Sequence, residues 1–334
     1  QEGFCLGDMI MLSTTLKELR RYYSEARIDL VTSPQGAVFL RGTEHIDGFI
    51  VIEGPPWARR FKKGFLSRIR YYIRGIGDIK EGSYDLAIDF RGDIAGLLLF
   101  FLAGVPKRIA YNDFSGGFLS SESYTTPPDC SHQFLRNLYL TSMITGSDIT
   151  ETCKRPFYPV SGIRDRKRVE SVHGIEISGK RVVVHPYTIR EHKTLSFMKW
   201  DSVIDSLIES GYRAVVTAGP EEGWVSDHLL SLKTHRIPFI QPDFRDIPGL
   251  LSGAAGVLSC DTFMAHAAWS LGLPCVVVFG PTNPGYYAPL SERTSVVWNN
   301  RILWPPYKEW HAGVSAEDNT PEVINSAVYQ TIRG

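Results

Sequence analysis

The stretch AGVLSCDTFMAHAAWSLGLPCVVVFGPTNP, residues 255–284, reads as strand, loop, helix, strand and loop. AGVLSC (255–260) and PCVVVFG (274–280) are short apolar runs bounded by turn residues, a length that suits strands. A helix between two such runs is the crossover that joins parallel neighbours. Both runs are continuously apolar rather than alternating, as expected when helices cover both faces of a sheet.

The same pattern extends outward. RVVVHP (181–186), YRAVVTAG (212–219) and IPFIQ (237–241) precede it in the second half, and IDLVT (28–32), GFIVIE (48–53), YDLAIDF (84–90) and RIAY (108–111) mark strands in the first. With 334 residues, 43% of them hydrophobic, two domains of similar size are expected. The connection TCKRPFYPVSGIRDRKRV carries two prolines, a glycine and many charges, so the domains are set at 1–158 and 159–334. The closing TPEVINSAVYQTIRG reads as a helix with Thr320 as N-cap, Pro321 at its first position and Glu322 in its first turn, expected to cross back onto the first domain. The fold class is α/β with parallel sheets, and ligands belong in strand-to-helix loops facing a cleft between the domains.

Composition excludes several classes. Lys plus Arg and Asp plus Glu are 36 each, which speaks against a nucleic-acid partner. Five scattered cysteines without a CxxC pair suggest neither a disulfide framework nor a zinc site, and a cytoplasmic location is expected. The longest apolar runs, such as GLLLFFLAGV (96–105), are too short to span a bilayer. No signal peptide precedes Gln1, and the chain opens on a turn and helix without the strand that should feed them, so a strand upstream is expected.

No DxD and no GxGxxG occurs, which removes the usual metal-binding carboxylate pair and the dinucleotide fingerprint. GIEISGK (174–180) begins like a P-loop, but Arg181 replaces Ser/Thr and a strand follows, so it reads as a turn. LGDMIMLSTTLKELRRYY sets Gly7 and Asp8 at the mouth of a helix whose buried stripe includes Leu12, Leu16 and Leu19. Asp8 is either an ordinary capping residue or a proton acceptor, ionised at neutral pH by the helix N-terminus. HPYTIREHKTL presents Thr188 and Lys193 in a loop after a strand, donors suited to a diphosphate or simply solvated. Asp261 and Thr262 fall at a helix N-terminus able to face phosphate oxygens, with His266 one turn on, either packed or functional. Between Glu53 and Asp78 there is no acid, while Arg59, Arg60, Lys62, Lys63, Arg68, Arg70 and Arg74 gather among aromatic residues. That segment is a solvated face or a contact for phosphorylated glycolipid at an anionic membrane.

Taken in order, GDMIMLSTTLKELR, YDLAIDFRGD, PKRIAY, HQFLRNLYL, VVVHPYT, Lys193, TAGPEE and CDTFMAHAAWSLGLPCVVVFGPTNP resemble glycosyltransferase family 9, the ADP-heptose:lipopolysaccharide heptosyltransferases. The resemblance implies a GT-B fold of two Rossmann-like domains, the first binding acceptor and the second nucleotide sugar. It implies an inverting transfer without a metal or other cofactor, Asp8 being the general base. Donor-binding positions implied are Thr188, Lys193, Glu221 or Glu222 at the ribose, Asp261 at the sugar, and Thr262, Phe263, Met264 and His266. His132 and Arg136 match an acceptor-side HxxxR-like pattern, beside the basic Arg59, Arg60, Lys62 and Lys63. Phe263 stands where the family commonly has glycine, and Tyr187 where it has a small residue. The partners implied are ADP-heptose or another nucleotide sugar, a lipid A-core or other glycan acceptor, and the cytoplasmic face of the inner membrane. Competing readings are a sugar-nucleotide 2-epimerase of similar bilobal fold and a non-catalytic sugar-nucleotide-binding protein.

Overall fold

The computed structural model describes residues 5–52, 65–113, 116–150, 153–177, 179–188, 190–305 and 315–332. It divides into two units, 1–154 and 155–334, four residues before the boundary set from composition. Arg59, Arg60, Lys62 and Lys63 lie outside the described residues.

The first unit runs α1 (Leu6–Tyr22), β1 (Asp29–Thr32), α2 (Pro34–Phe39), β2 (Gly48–Val51), α3 (Phe65–Gly82), β3 (Leu86–Asp89), α4 (Ile94–Leu102), β4 (Lys107–Tyr111), β5 (Glu122–Tyr124) and α5 (Gln133–Thr145). Strands β1 and β2 pair in parallel, as do β3, β4 and β5 in a second sheet. Helix α1 is buried around most of its circumference: Met9, Ile10, Met11, Leu12, Leu16 and Leu19 are all in the core. It packs on α5, where the Asn137 amide donates to the Met11 carbonyl at 3.4 Å. Local chemistry sets the helix starts. Ser33 caps α2 ahead of Pro34, and the Asp93 carboxylate accepts the Ala95 and Gly96 N–H groups at 2.9 Å to cap α4.

The second unit continues with α6 (Arg166–His173), β6 (Arg181–His185), α7 (Phe197–Glu209), β7 (Arg213–Thr217), α8 (Val225–His228), α9 (Leu230–Thr234), β8 (Phe239–Ile240), α10 (Ile247–Leu251), β9 (Gly256–Cys260), α11 (Phe263–Ser270), β10 (Cys275–Val278), α12 (Pro284–Tyr287), β11 (Thr294–Trp298), β12 (Arg301–Leu303) and α13 (Pro321–Ile332). Seven strands form one sheet in the order β12-β11-β10-β9-β6-β7-β8, parallel except for the β11–β12 pair. Strands β9, β10 and β11 are buried at every residue, the consequence of helices on both faces. The closing helix α13, expected to cross back, belongs to the second unit and packs on α7, β10 and β11 through Ile324, Ala327 and Val328. Gly174, the first residue of the P-loop-like run, ends α6 in the left-handed region (φ 63°).

At the end of β3, Asp89 is buried, one oxygen accepting the Arg91 and Gly92 N–H groups at 2.9 and 3.1 Å. The other oxygen is pressed toward Gly96, where any Cβ would collide with it, and has no hydrogen-bond partner among the described residues. Burial, reinforced by the Asp93 charge, pushes this carboxyl up to about 6 against the pull of the two N–H bonds. Between about pH 4 and about pH 6 the folded chain holds a proton that the unfolded chain has released, so native stability falls as pH rises through that window. Asp89→Asn is expected to flatten this part of the profile and gain about 1–3 kcal/mol near neutrality. Urea denaturation across the window checks it; an unchanged slope would contradict the assignment.

Candidate functional site

In the second sheet the chain winds from β6 through β7 to β8, then returns to the other side of β6 to lay down β9 and β10. In open α/β sheets such a reversal is where ligands bind, beyond the carboxyl ends of the two strands that flank it, here β6 and β9. The loop after β6 runs through Tyr187 and Thr188 to a 3₁₀ turn, Glu191–Lys193, and the loop after β9 is Asp261–Thr262. They meet in an ion pair: Lys193 Nζ donates to Asp261 Oδ2 at 2.5 Å, with both side chains largely buried. The Cys260 thiol donates to the Pro186 carbonyl at 3.2 Å, tying the two strand ends together.

Thr262 caps α11. Its hydroxyl oxygen accepts the Met264 N–H at 3.3 Å and lies 2.9 Å from the Ser259 hydroxyl. His266, one turn further, is buried, and its Nδ1 has no hydrogen-bond partner among the described residues. Burial pushes its imidazole down to about 4, with the Asp261 charge opposing and the Lys193 charge adding. His185, the last residue of β6, is likewise lowered to about 4 by burial, and its Nδ1 lies 3.0 Å from the Thr217 hydroxyl. Both rings are neutral at physiological pH, and burial lifts the Cys260 thiol to about 12, so it stays protonated.

Arg190 was not singled out from the sequence. It is half-buried, burial lowers its pKa, and it feels the Asp261 and Tyr287 charges, which adds a second cation to the surroundings of Asp261. The only sequence signal was a cation three residues before Lys193. The aromatic substitutions also find their places. Phe263 packs against Phe244 and Tyr158, with ring centroids 5.8 and 6.3 Å away. Tyr187 sits edge-to-face on Trp224 at 4.8 Å.

The loop after β7 holds the two candidate ribose acids. Glu221 is exposed, whereas Glu222 is half-buried and accepts the Gly219 N–H at 2.7 Å; burial raises its pKa against that bond. Gln241 donates to the Gly219 and Pro220 carbonyls at 2.6 and 2.9 Å and fixes the loop from the β8 side. The loop after β10 is braced as well. A Cβ on Gly280 would lie 2.8 Å from the His192 carbonyl oxygen and 2.9 Å from the Ala316 nitrogen, so only glycine admits this approach. Beside it, Asn319 donates to the Phe279 carbonyl at 3.0 Å, and Glu317 accepts the Ser196 N–H and hydroxyl at 2.7 and 2.9 Å.

In the first unit, Asp8 lies half-buried in the first turn of α1. His132 is the N-cap of α5, its Nδ1 accepting the Phe134 N–H at 3.2 Å. Arg136 is buried with its guanidinium 4.5 Å over the Tyr111 ring, and the Tyr111 hydroxyl donates to the Arg136 carbonyl at 2.5 Å. Among the described residues no group of three or more His, Cys, Asp and Glu is arranged to hold a metal ion, and no helix is long and apolar enough to cross a membrane.

Two Rossmann-like units of this kind define the GT-B class of glycosyltransferases. A solved structure of ADP-heptose lipopolysaccharide heptosyltransferase II from E. coli superposes with a TM-score of 0.71 at 16% identity, covering 99% of this chain and 97% of that one. The E. coli heptosyltransferase WaaC with ADP-2-deoxy-2-fluoro heptose gives 0.71 at 16%, covering 98% of each chain. The family model described as glycosyltransferase family 9 (heptosyltransferase) matches residues 74–309, and the chain belongs to that family. Lipopolysaccharide heptosyltransferase 3 of Escherichia coli is 21% identical over 301 residues, 87% of this chain and 86% of the relative.

Removing the Lys193 ammonium would strand the Asp261 carboxylate in a largely buried position. Lys193→Met is expected to cost about 1–3 kcal/mol of stability, and Lys193→Met with Asp261→Asn to cost less than the two single changes summed. Urea denaturation of the four chains measures this; strict additivity would show that the pair is not coupled.

Proposed function

We propose that the protein is an inverting, metal-independent heptosyltransferase of lipopolysaccharide biosynthesis, moving heptose from ADP-heptose to a lipopolysaccharide core or related glycan acceptor at the cytoplasmic face of the inner membrane. The observation that carries the reading is the Lys193–Asp261 pair beside the N-terminus of α11, at the point where the sheet reverses its winding. Family membership and the names of the relatives support it.

On this reading the second unit takes the donor. Its diphosphate meets the Thr188 hydroxyl, the Lys193 ammonium and the Phe263 N–H at the start of α11, beside the cap that Thr262 makes to Met264. Glu222 or Glu221 accepts from the ribose, Asp261 from the sugar, and His266 lines the same place as a neutral ring. The first unit takes the acceptor, with Arg59, Arg60, Lys62 and Lys63 offered to its phosphates and His132 and Arg136 setting the position of α5. The Asp8 carboxylate removes the proton of the acceptor hydroxyl as that oxygen forms its bond to the anomeric carbon. The bond from the anomeric carbon to the diphosphate oxygen breaks, its electron pair leaves with ADP, and one displacement inverts the configuration. Lys193 and the helix N-terminus stabilise the developing phosphate charge, the role a metal ion would otherwise fill.

Labelled ADP-heptose incubated with a lipid A-core acceptor is expected to pass its label to the acceptor, with no loss of rate in EDTA. Release of an isomerised free nucleotide sugar, or a rate abolished by EDTA and restored by Mg²⁺, would contradict the reading. Asp8→Asn is expected to lower kcat by about 10²–10⁴ with ADP affinity retained. Full turnover in that variant would remove Asp8 from the mechanism.

A further inference from the structure

Helix α4 is apolar on its outer side as well as its inner one. Leu97 and Leu99 are buried, whereas Ile94, Phe101 and Leu102 are 36%, 49% and 51% exposed, with Leu98 half-buried. Positions 94, 98, 101 and 102 recur at i, i+4, i+7 and i+8, which aligns them in one stripe along the helix. The 3₁₀ turn Gly117–Leu119 packs on this helix. Gly116 comes so near α4 that a Cβ would lie 2.7 Å from the Asp93 carbonyl, and the Leu119 carbonyl accepts from Arg108 Nε at 2.8 Å. Phe118, on this turn, is 75% exposed. Large apolar side chains gathered on one surface mark an interaction site, where single scattered ones would not.

Charge selects the occupant. The Arg108 guanidinium lies 5.4 Å over the Phe101 ring and donates to the carbonyls of Val105, Pro106 and Leu119. These acceptors are neutral, so a full positive charge stands at the end of the stripe. Helix α3, which packs on α4, exposes Arg70, Ile73 and Arg74. Asp78 approaches Arg74 only at 3.9 Å, and the Glu122 carboxylate is engaged by Lys107 at 2.9 Å. A two-fold contact with a second copy would bring this patch against itself, arginines included. An anionic bilayer suits it better: the rings enter the acyl boundary while the guanidinium groups stay among lipid phosphates.

We propose that the outer face of α4 and the Gly117–Leu119 turn, rimmed by Arg70, Arg74 and Arg108, docks the protein on an anionic phospholipid surface. The proposal rests on the reading that the acceptor is lipid-linked.

Sedimentation of the full chain with vesicles of phosphatidylcholine, with or without phosphatidylglycerol, tests it. The wild-type chain is expected to bind the phosphatidylglycerol vesicles preferentially, and less so as salt is raised. Phe101→Ser with Phe118→Ser, both at exposed positions, is expected to weaken that binding about tenfold or more. The same variant keeps its rate on a water-soluble acceptor stripped of lipid. Arg70→Glu with Arg74→Glu is expected to lose the preference for phosphatidylglycerol. Vesicle binding unchanged in the Phe101/Phe118 variant would overturn the docking face while leaving transfer to a lipid-linked acceptor standing. A wild-type dimer that this variant loses would hand the face to a second copy and overturn it too. Failure of heptose transfer to every lipid-linked acceptor would instead refute the functional reading itself.

Discussion

A parallel pair of strands cannot be closed by a hairpin, and strands buried on both faces must satisfy every backbone N–H and C=O along their ladders. Each strand of the large sheet before β11 therefore hands the chain to a crossover that brings it back to the same end. The loops after β6, β7, β9 and β10 are forced to share one edge, and the reversal between β6 and β9 leaves room there. Lys193, Asp261, Thr262 and Glu222 stand together at that edge because topology delivers their loops to it.

What that edge can do follows from which groups keep a charge. Burial leaves His185 and His266 neutral and Cys260 protonated, so the local field comes from Lys193, Arg190, Asp261 and the dipole of α11. Lys193 has a carboxylate partner in Asp261. On the proposed reading, an incoming diphosphate exchanges partners with a neutralised pair and does not meet a bare buried ammonium, whose desolvation would be costly.

The strands that were legible in the sequence are those whose burial needs no partner pattern to be recognised. RVVVH, RAVVT, GVLSC and CVVV are unbroken apolar runs, and their ends fall within a residue or two of those read from composition. Glu122–Tyr124 and Arg301–Leu303 were missed because three residues, one or two of them polar, carry no period; their pairing partners create them. Thr294–Trp298 was missed although it is apolar and fully buried. The Lys193–Asp261 contact spans 68 positions, so the sequence showed both residues as candidates but not as partners. The cap formed by His132 and the stacking of Arg136 on Tyr111 are three-dimensional facts of the same kind.

The segment that braces the site comes from far along the chain. Gly280 sits between the His192 carbonyl and the Ala316 nitrogen, Asn319 holds the Phe279 carbonyl, and Glu317 holds Ser196 at the start of α7. During synthesis the Lys193 turn emerges first, yet its last supports arrive only when residues 316–319 have left the ribosome. Long-range closure of this kind delays assembly. The second unit thus reaches its working geometry only once residues 316–319 have been made, and a chain cut short before Ala316 would carry the site's polar residues without the braces that hold them.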